Sequence, residues 1–391
     1  MSTRFLILLS LAITACNPSS AIRSLRDAPR TAHERYARGL RDAGLDSTAV
    51  GRDWLAASDS ALAAPLALAL PAREVGVYQR AEARAVAYRF TLRDGERLRV
   101  TLRADGLPAQ IYLDLYERGA DSLATLEHRA TADRASTPDS APMVFVLAYE
   151  ATRTGDYVLR LQPELLRSGR FDIAISTEPS LAFPVEGRGN AAIQSLFGVG
   201  RDGGRRAHHG IDIFAPRGTP VLAGTDGTVR SIAPNELGGN VVWLSDERRG
   251  QTLYYAHLDR HHVSAGQRVR TGDTLGFVGN TGNARTTPPH LHFGIYRRPD
   301  GPIDPLRFVR INSDRPAALT SDTTQLGRFA VARTAAVTLR NAPADSSTVV
   351  RRIGRTTRVQ IVAATGSAFR VQLDDGVTGY LQNSAVRVVD R

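Results

Sequence analysis

The amino-acid sequence predicts a mainly β, multidomain chain: a short N-terminal helical region, an antiparallel β-sandwich, a second β-rich unit and a small barrel at the C-terminus. Three observations lead there. Short runs that alternate apolar and polar residues, the period of a half-buried strand, recur along most of the chain. Turn pairs such as Asp94-Gly95, Asp105-Gly106 and Gly155-Asp156 separate them. The length of 391 residues exceeds one ordinary core and suggests roughly two to four domains.

The first residues, MSTRFLILLSLAITAC, join Arg4 to an apolar run too short to cross a bilayer as a helix, the pattern of a secretory signal. The run ends in Ile13-Thr14-Ala15-Cys16, which resembles the bacterial lipoprotein cleavage box. The resemblance implies that residues 1–16 are a lipoprotein signal and that Cys16 carries the lipid, anchoring the protein to a membrane. Cys16 is the one cysteine of the chain, so an intramolecular disulfide is excluded and lipidation gives it a purpose. Asn17, where inner-membrane retention would call for aspartate, favours a cell-envelope location on the outer membrane, facing the periplasm.

Residues 17–74 read as a tether followed by helices. From Thr31 to Leu70 apolar residues recur at three- and four-residue spacing, predicting two helices, with Asp46-Ser47 as the cap of the second. Residues 75–178 alternate: VAYRFTLRDGERLRVTLRA, IYLDLYE, MVFVLAYEA, GDYVLRLQPE and FDIAIST predict the β-sandwich. No catalytic constellation falls there, and a spacer or binding module is expected.

The chemistry concentrates in residues 180–310. His208-His209-Gly210-Ile211-Asp212 is followed about eighty residues later by His290-Leu291-His292. Gly210, Ile211, Ile213 and Pro216 disfavour a helix, so His208 and Asp212 flank the start of a strand. PPHLHFGIY also reads as a strand, and residues two apart share a face, so His290 and His292 meet on one surface. Two imidazoles and a carboxylate suit a tetrahedral zinc site with one position open to water. On this ground alone, one of the His290/His292 pair binds metal and the other works beside it. His257, in the strand-like LYYAHLD, is a further candidate.

HHGIDIFAP, YYAHLD and GNTGNARTTPPHLHF resemble the signature segments of the LytM/lysostaphin-type zinc metallopeptidases, which cut peptide bonds in bacterial peptidoglycan. The resemblance implies metal ligands at His208, Asp212 and His292, and non-ligand catalytic histidines at His257 and His290. It also implies one Zn²⁺ per chain and peptidoglycan stem peptides as substrate. Gly238, Gly239 and Asn240 resemble the family's glycine-rich turn before a core strand. Two places depart from the pattern: Gly294, where many members carry an acidic residue, and the Thr286-Thr287-Pro288-Pro289 loop, where a Gly-Pro pair is commoner. A lone histidine is usually a surface or core residue, but five of the nine histidines fall in these three motifs. His209, His261 and His262 are expected to be solvated or to neighbour the site, and His33 and His128 to lie on the surface.

Several rival functions meet the same residues. An iron(II) facial triad also uses two histidines and a carboxylate, but it would leave two histidines without a role. A cupin would need an acidic residue after His-x-His. A catalytically silent activator of other wall hydrolases would be expected to have lost ligands that are present here; the sequence leaves open a regulatory protein partner and an autoinhibitory role for the N-terminal region.

Turn signals at Asp226-Gly227 and across Val269–Asp273 predict hairpins in this unit. Residues 311–327 are polar and read as a linker. The tail, 328–391, resembles a bacterial SH3-like domain, with Leu339-Arg340-Asn341-Ala342-Pro343 near its start and Gly379-Tyr380 near its close. Tyr380 either lines a peptide groove or packs inside. Net charge is +11, carried entirely by arginine, without the arginine–aromatic interleaving of a nucleic-acid surface; no nucleic-acid partner is expected.

Overall fold

The computed structural model describes residues 31–106, 109–119, 125–135 and 142–389. The signal, Cys16 and the tether lie outside the described residues. The fold is mainly β. Thr31 opens the first helix, Ala32–Asp42, with a capping box: its hydroxyl accepts the Glu34 N–H and its own N–H donates to the Glu34 carboxylate, both at 3.1 Å. The second helix, Ala49–Ala63, is capped by Thr48. Asp46 and Ser47 form a 3₁₀ turn before it and do not cap it.

These helices dock on the sandwich through a small aromatic core. Trp54 is 1% exposed and donates its indole N–H to Pro163 O at 2.8 Å. His33 is not on the surface. It is buried, stacks on Trp54 with 4.7 Å between ring centroids, and lies 2.6 Å from Gln162 Oε1 through Nε2. The reason is periodicity: His33, Ala37 and Leu40 form the one buried stripe of their helix. His128, the other histidine expected at the surface, is partly covered and bonds Thr131 Oγ1 at 3.0 Å.

Two sheets share the sandwich core. One runs Leu66–Ala67, Val86–Leu92, Gly155–Pro163, Ile111–Arg118, Leu126–Thr131. The other contains Ala72–Tyr78, Gly169–Pro179, Glu96–Gly106, Met143–Glu150 and Asp133–Arg134. Leu113, Leu159 and Phe90 from the first sheet meet Leu98, Leu102, Phe145 and Ile173 from the second. Alternation along each strand turns these side chains to one face.

The second sheet does not stop at the sandwich edge. Ala72–Tyr78 pairs with Arg358–Thr365 of the tail (Val75 with Ala364, Gly76 with Ala363), and the tail strands continue the sheet around their own core of Leu339, Val359, Ile361, Phe369 and Val371. Tyr380 packs inside: it is 2% exposed and donates to Glu74 Oε2 at 3.0 Å. A peptide groove cannot use it.

Residues 193–303 build a separate ten-stranded antiparallel sheet around Ile211, Ile213, Leu244, Leu253, Tyr255, Leu291 and Phe293. Its order starts Ile193–Ser195, Ile211–Phe214, His290–Arg297, Gln251–His261, Asn240–Asp246. The turns at Asp226-Gly227 and Val269–Asp273 are present but close no hairpins, because their flanking strands pair elsewhere. They touch each other instead: Asp226 Oδ1 accepts from Thr271 N and Oγ1 at 2.7 and 2.8 Å. The unit joins the sandwich through Arg248 on Glu150 (2.7 Å) and Arg297 on Asp94 (2.8 Å).

Candidate metal centre

Register brings the motif residues together. In the pairing of Ile211–Phe214 with His290–Arg297, Asp212 lies opposite His292 and Phe214 opposite His290. Ile211, Ile213, Leu291 and Phe293 face inward and are fully buried, so Asp212, His290 and His292 share the opposite face. His208 stands just before the strand, its backbone N–H donating to Val199 O at 2.9 Å. Gly210 leaves the room this requires: a Cβ there would lie 2.7 Å from His292 Cε1 and 2.5 Å from Phe293 O.

Three ligand atoms converge. His208 Nε2 is 3.0 Å from Asp212 Oδ1 and 2.9 Å from His292 Nδ1, and the last two are 3.1 Å apart. His208 Nδ1 lies 2.8 Å from Leu196 O, an acceptor only, so Nδ1 carries a proton and Nε2 is the atom turned to Asp212 and His292. Nε2, Nδ1 and a carboxylate oxygen gathered at such distances can share a cation. The set of two imidazoles and a carboxylate fits zinc. Burial alone would raise the Asp212 carboxyl, but His208 and His292 hold it well below the usual carboxylate range. His292 is itself lowered, by burial first.

The two further histidines stand beside this group. His257 and His290 have ring centroids 5.0 Å apart, and His257 lies 5.9 Å from His292. His257 reaches the site through a bulge: Asn240 pairs with Leu258 and Val242 with Tyr255, leaving one extra residue. There His257 takes φ 63°, a left-handed conformation rare for a non-glycine residue. Its N–H donates to Gly238 O at 2.7 Å. Its Nδ1 donates to Thr281 O (2.9 Å), and His290 Nδ1 donates to Pro288 O (2.9 Å), so both rings offer Nε2. Burial, then the neighbouring His290 and His292, lower His257 to about 4, keeping it neutral near pH 7. The cleft around these groups has a volume of about 620 Å³ and is lined by residues between Gln194 and Tyr296.

A model described as Peptidase family M23 matches residues 206–305. This segment is an M23 peptidase domain. Over 99 residues it is 41% identical to the peptidoglycan DD-endopeptidase ShyC of Vibrio cholerae, covering 24% of this chain and 22% of that protein. An L-Ala–D-Glu endopeptidase of Bacillus subtilis is 36% identical over 140 residues, covering 33% of this chain and 43% of the enzyme. The chain thus spans less than half the length of either relative. Among solved structures, the catalytic domain of lysostaphin from Staphylococcus simulans is 31% identical, covering 30% of this chain and 87% of that one, with a TM-score of 0.27.

All five motif residues of the M23 domain gather in one cleft. His209 is exposed at its rim, while His261 and His262 lie outside it. The departure at Gly294 has a steric cause: a Cβ there would lie 3.0 Å from His209 O and 3.2 Å from Tyr296. Sequence patterns did not reveal Arg201, which donates to the free oxygen of Asp212, nor the aromatic wall of Trp243, Tyr254 and Tyr296 beside His292. That wall was legible in part, since Trp243, Tyr254 and Tyr296 occupy outward positions of strands whose other faces are core.

Proposed function

We propose that the protein is a zinc-dependent endopeptidase that hydrolyses peptide cross-links of bacterial peptidoglycan, tethered to the membrane by lipid on Cys16 and working in the cell envelope. The carrying observation is the convergence of His208 Nε2, Asp212 Oδ1 and His292 Nδ1 beside two further imidazoles, His257 and His290, in an open cleft. The peptidoglycan endopeptidases among its relatives support the substrate class.

His208, Asp212 and His292 would hold one zinc ion. When bound, zinc acts as a Lewis acid that acidifies water and polarises a carbonyl. One of His257 and His290 takes the proton of the attacking water at Nε2 as the new C–O bond forms. That proton passes to the departing amine nitrogen as the C–N bond breaks. The other histidine, when protonated at Nε2, donates to the charge that develops on the carbonyl oxygen. The aromatic wall gives an extended peptide an apolar surface to lie against. The C-terminal strands, which we assign to an SH3-like module, would help hold the protein on the wall.

A silent activator would need no intact ligand group. The deciding experiment incubates the purified protein with isolated sacculi, with and without a chelator, and identifies released fragments by mass spectrometry. Chelator-sensitive release of cleaved stem peptides supports the proposal. A zinc-loaded protein that releases nothing refutes it.

A further inference from the structure

Asp212 divides its two oxygens between two tasks. Oδ1 faces His208 and His292, whereas Oδ2 accepts from Arg201 Nη2 at 2.6 Å. The same Nη2 donates to Ser195 Oγ at 2.6 Å. Ser195 sits directly opposite Asp212 in the Ile193–Ser195/Ile211–Phe214 pairing, and its Oγ is 3.5 Å from His208 Nδ1. One guanidinium therefore ties the metal carboxylate to the strand beside it.

Arg201 reaches this position from a two-residue ladder, Gly200–Arg201 with Arg206–Ala207, that ends immediately before His208. Its turn passes through Gly203 and Gly204 at φ 71° and 89°, conformations that favour glycine. The Arg201 side chain keeps 30% exposure and that of Asp212 10%, so the bond forms at the cleft floor and is partly shielded from water.

We propose that Arg201 is a positioning residue that holds Asp212 to one-oxygen ligation. A carboxylate free to turn can offer both oxygens to a metal and fill a fourth coordination position. With Oδ2 engaged by a short charge-assisted bond, only Oδ1 is available, and the fourth position stays open for water. The inference rests on the metallopeptidase reading above. It concerns ligation, so metal-binding measurements test it separately from hydrolysis.

The test titrates the purified full chain and its Arg201→Met and Arg201→Lys variants with zinc against a competing chelator, and records the visible spectrum of the cobalt(II)-substituted forms. Loss of a partner that orients a ligand typically weakens metal affinity by roughly 10–100-fold, the range expected for Arg201→Met. Its cobalt bands should shift and change intensity, as the second oxygen of Asp212 enters the coordination sphere. Arg201→Lys, whose ammonium stops short of the Nη2 position and lacks the planar guanidinium, should show the same changes in smaller degree. It carries the test alone if Arg201→Met does not fold. Affinity within about twofold of the parent's and unchanged cobalt bands would mean that Arg201 merely braces its ladder, and would overturn the proposal. Metal binding by the parent without release of peptides from sacculi would instead sink the peptidase reading and leave the role of Arg201 standing.

Discussion

His257 and His290 face each other across 5.0 Å with their ring planes 61° apart, and each gives its Nδ1 proton to a backbone carbonyl. Those two bonds fix both tautomers, so proton transfer at Nε2 needs no ring flip. Neither ring belongs to the group formed by His208, Asp212 and His292. Replacing His290 or His257 with alanine should lower turnover by roughly 10²–10⁴-fold, the usual worth of general acid–base catalysis, while zinc stays bound. Kinetics paired with metal analysis checks this. Loss of zinc from either variant would exchange the roles of ligand and catalyst.

His208→Ala and Asp212→Ala should behave differently. Each removes one of three converging ligand atoms, and two ligands cannot close the site. Both variants are expected to purify without stoichiometric zinc under conditions where the parent retains it. Elemental analysis after chelator-free purification decides the matter, and a variant that keeps one zinc per chain rules its residue out as a ligand.

Much of this centre was legible from strand alternation, because the period of two that sends Leu291 and Phe293 inward sends His290 and His292 outward together. Three features were not legible. His257 enters through a bulge, and a one-residue insertion in a ladder leaves no mark in a pattern of apolar residues. Arg201 carries no mark in the sequence, since its role comes from a register that sets Ser195 against Asp212. The joining of sandwich and tail into one sheet depends on pairing across nearly three hundred positions, Val75 with Ala364, which local periodicity cannot report. In the helices the signal was present: His33 lies on the same stripe as Ala37 and Leu40.

His33 makes the helical region sensitive to acid. Burial first, then the charge of Arg160, lower it from 6.5 to about 4, against the raising effects of Gln162, Asp114 and Glu34. The unfolded chain therefore takes up this proton before the folded protein does. The stability that neutral His33 contributes is complete above pH 6.5 and is lost as pH falls through 4. The size is about 3 kcal/mol at one site, at about 1.4 kcal/mol per pH unit. Denaturant titrations at pH 7 and pH 4 on the parent and on His33→Gln test it. The parent should lose more stability than the variant by about this amount, and equal losses would contradict the assignment.

Glu74 offers the strongest test of how the sandwich and tail are joined. Its carboxylate accepts from Tyr88 (2.5 Å), Arg370 Nε (3.1 Å) and Tyr380 (3.0 Å), and all four residues are buried. Glu74 and Tyr88 belong to the sandwich strands Ala72–Tyr78 and Val86–Leu92, whereas Arg370 and Tyr380 belong to the tail strands Ala368–Leu373 and Thr378–Gln382. A buried ion pair adds little net stability over an apolar isostere, but removing one partner strands the other charge and costs about 3–5 kcal/mol. Glu74→Gln should therefore destabilise by about that amount. Trp54 and Trp243 are the only tryptophans of the chain, so in a Trp243→Phe background the fluorescence of Trp54 follows the sandwich side alone. A substitution whose damage is shared with the tail should shift the Trp54 transition as much as proteolytic release of the tail. If Trp54 reports no shift while the tail becomes protease-sensitive, the two units unfold independently despite sharing a sheet.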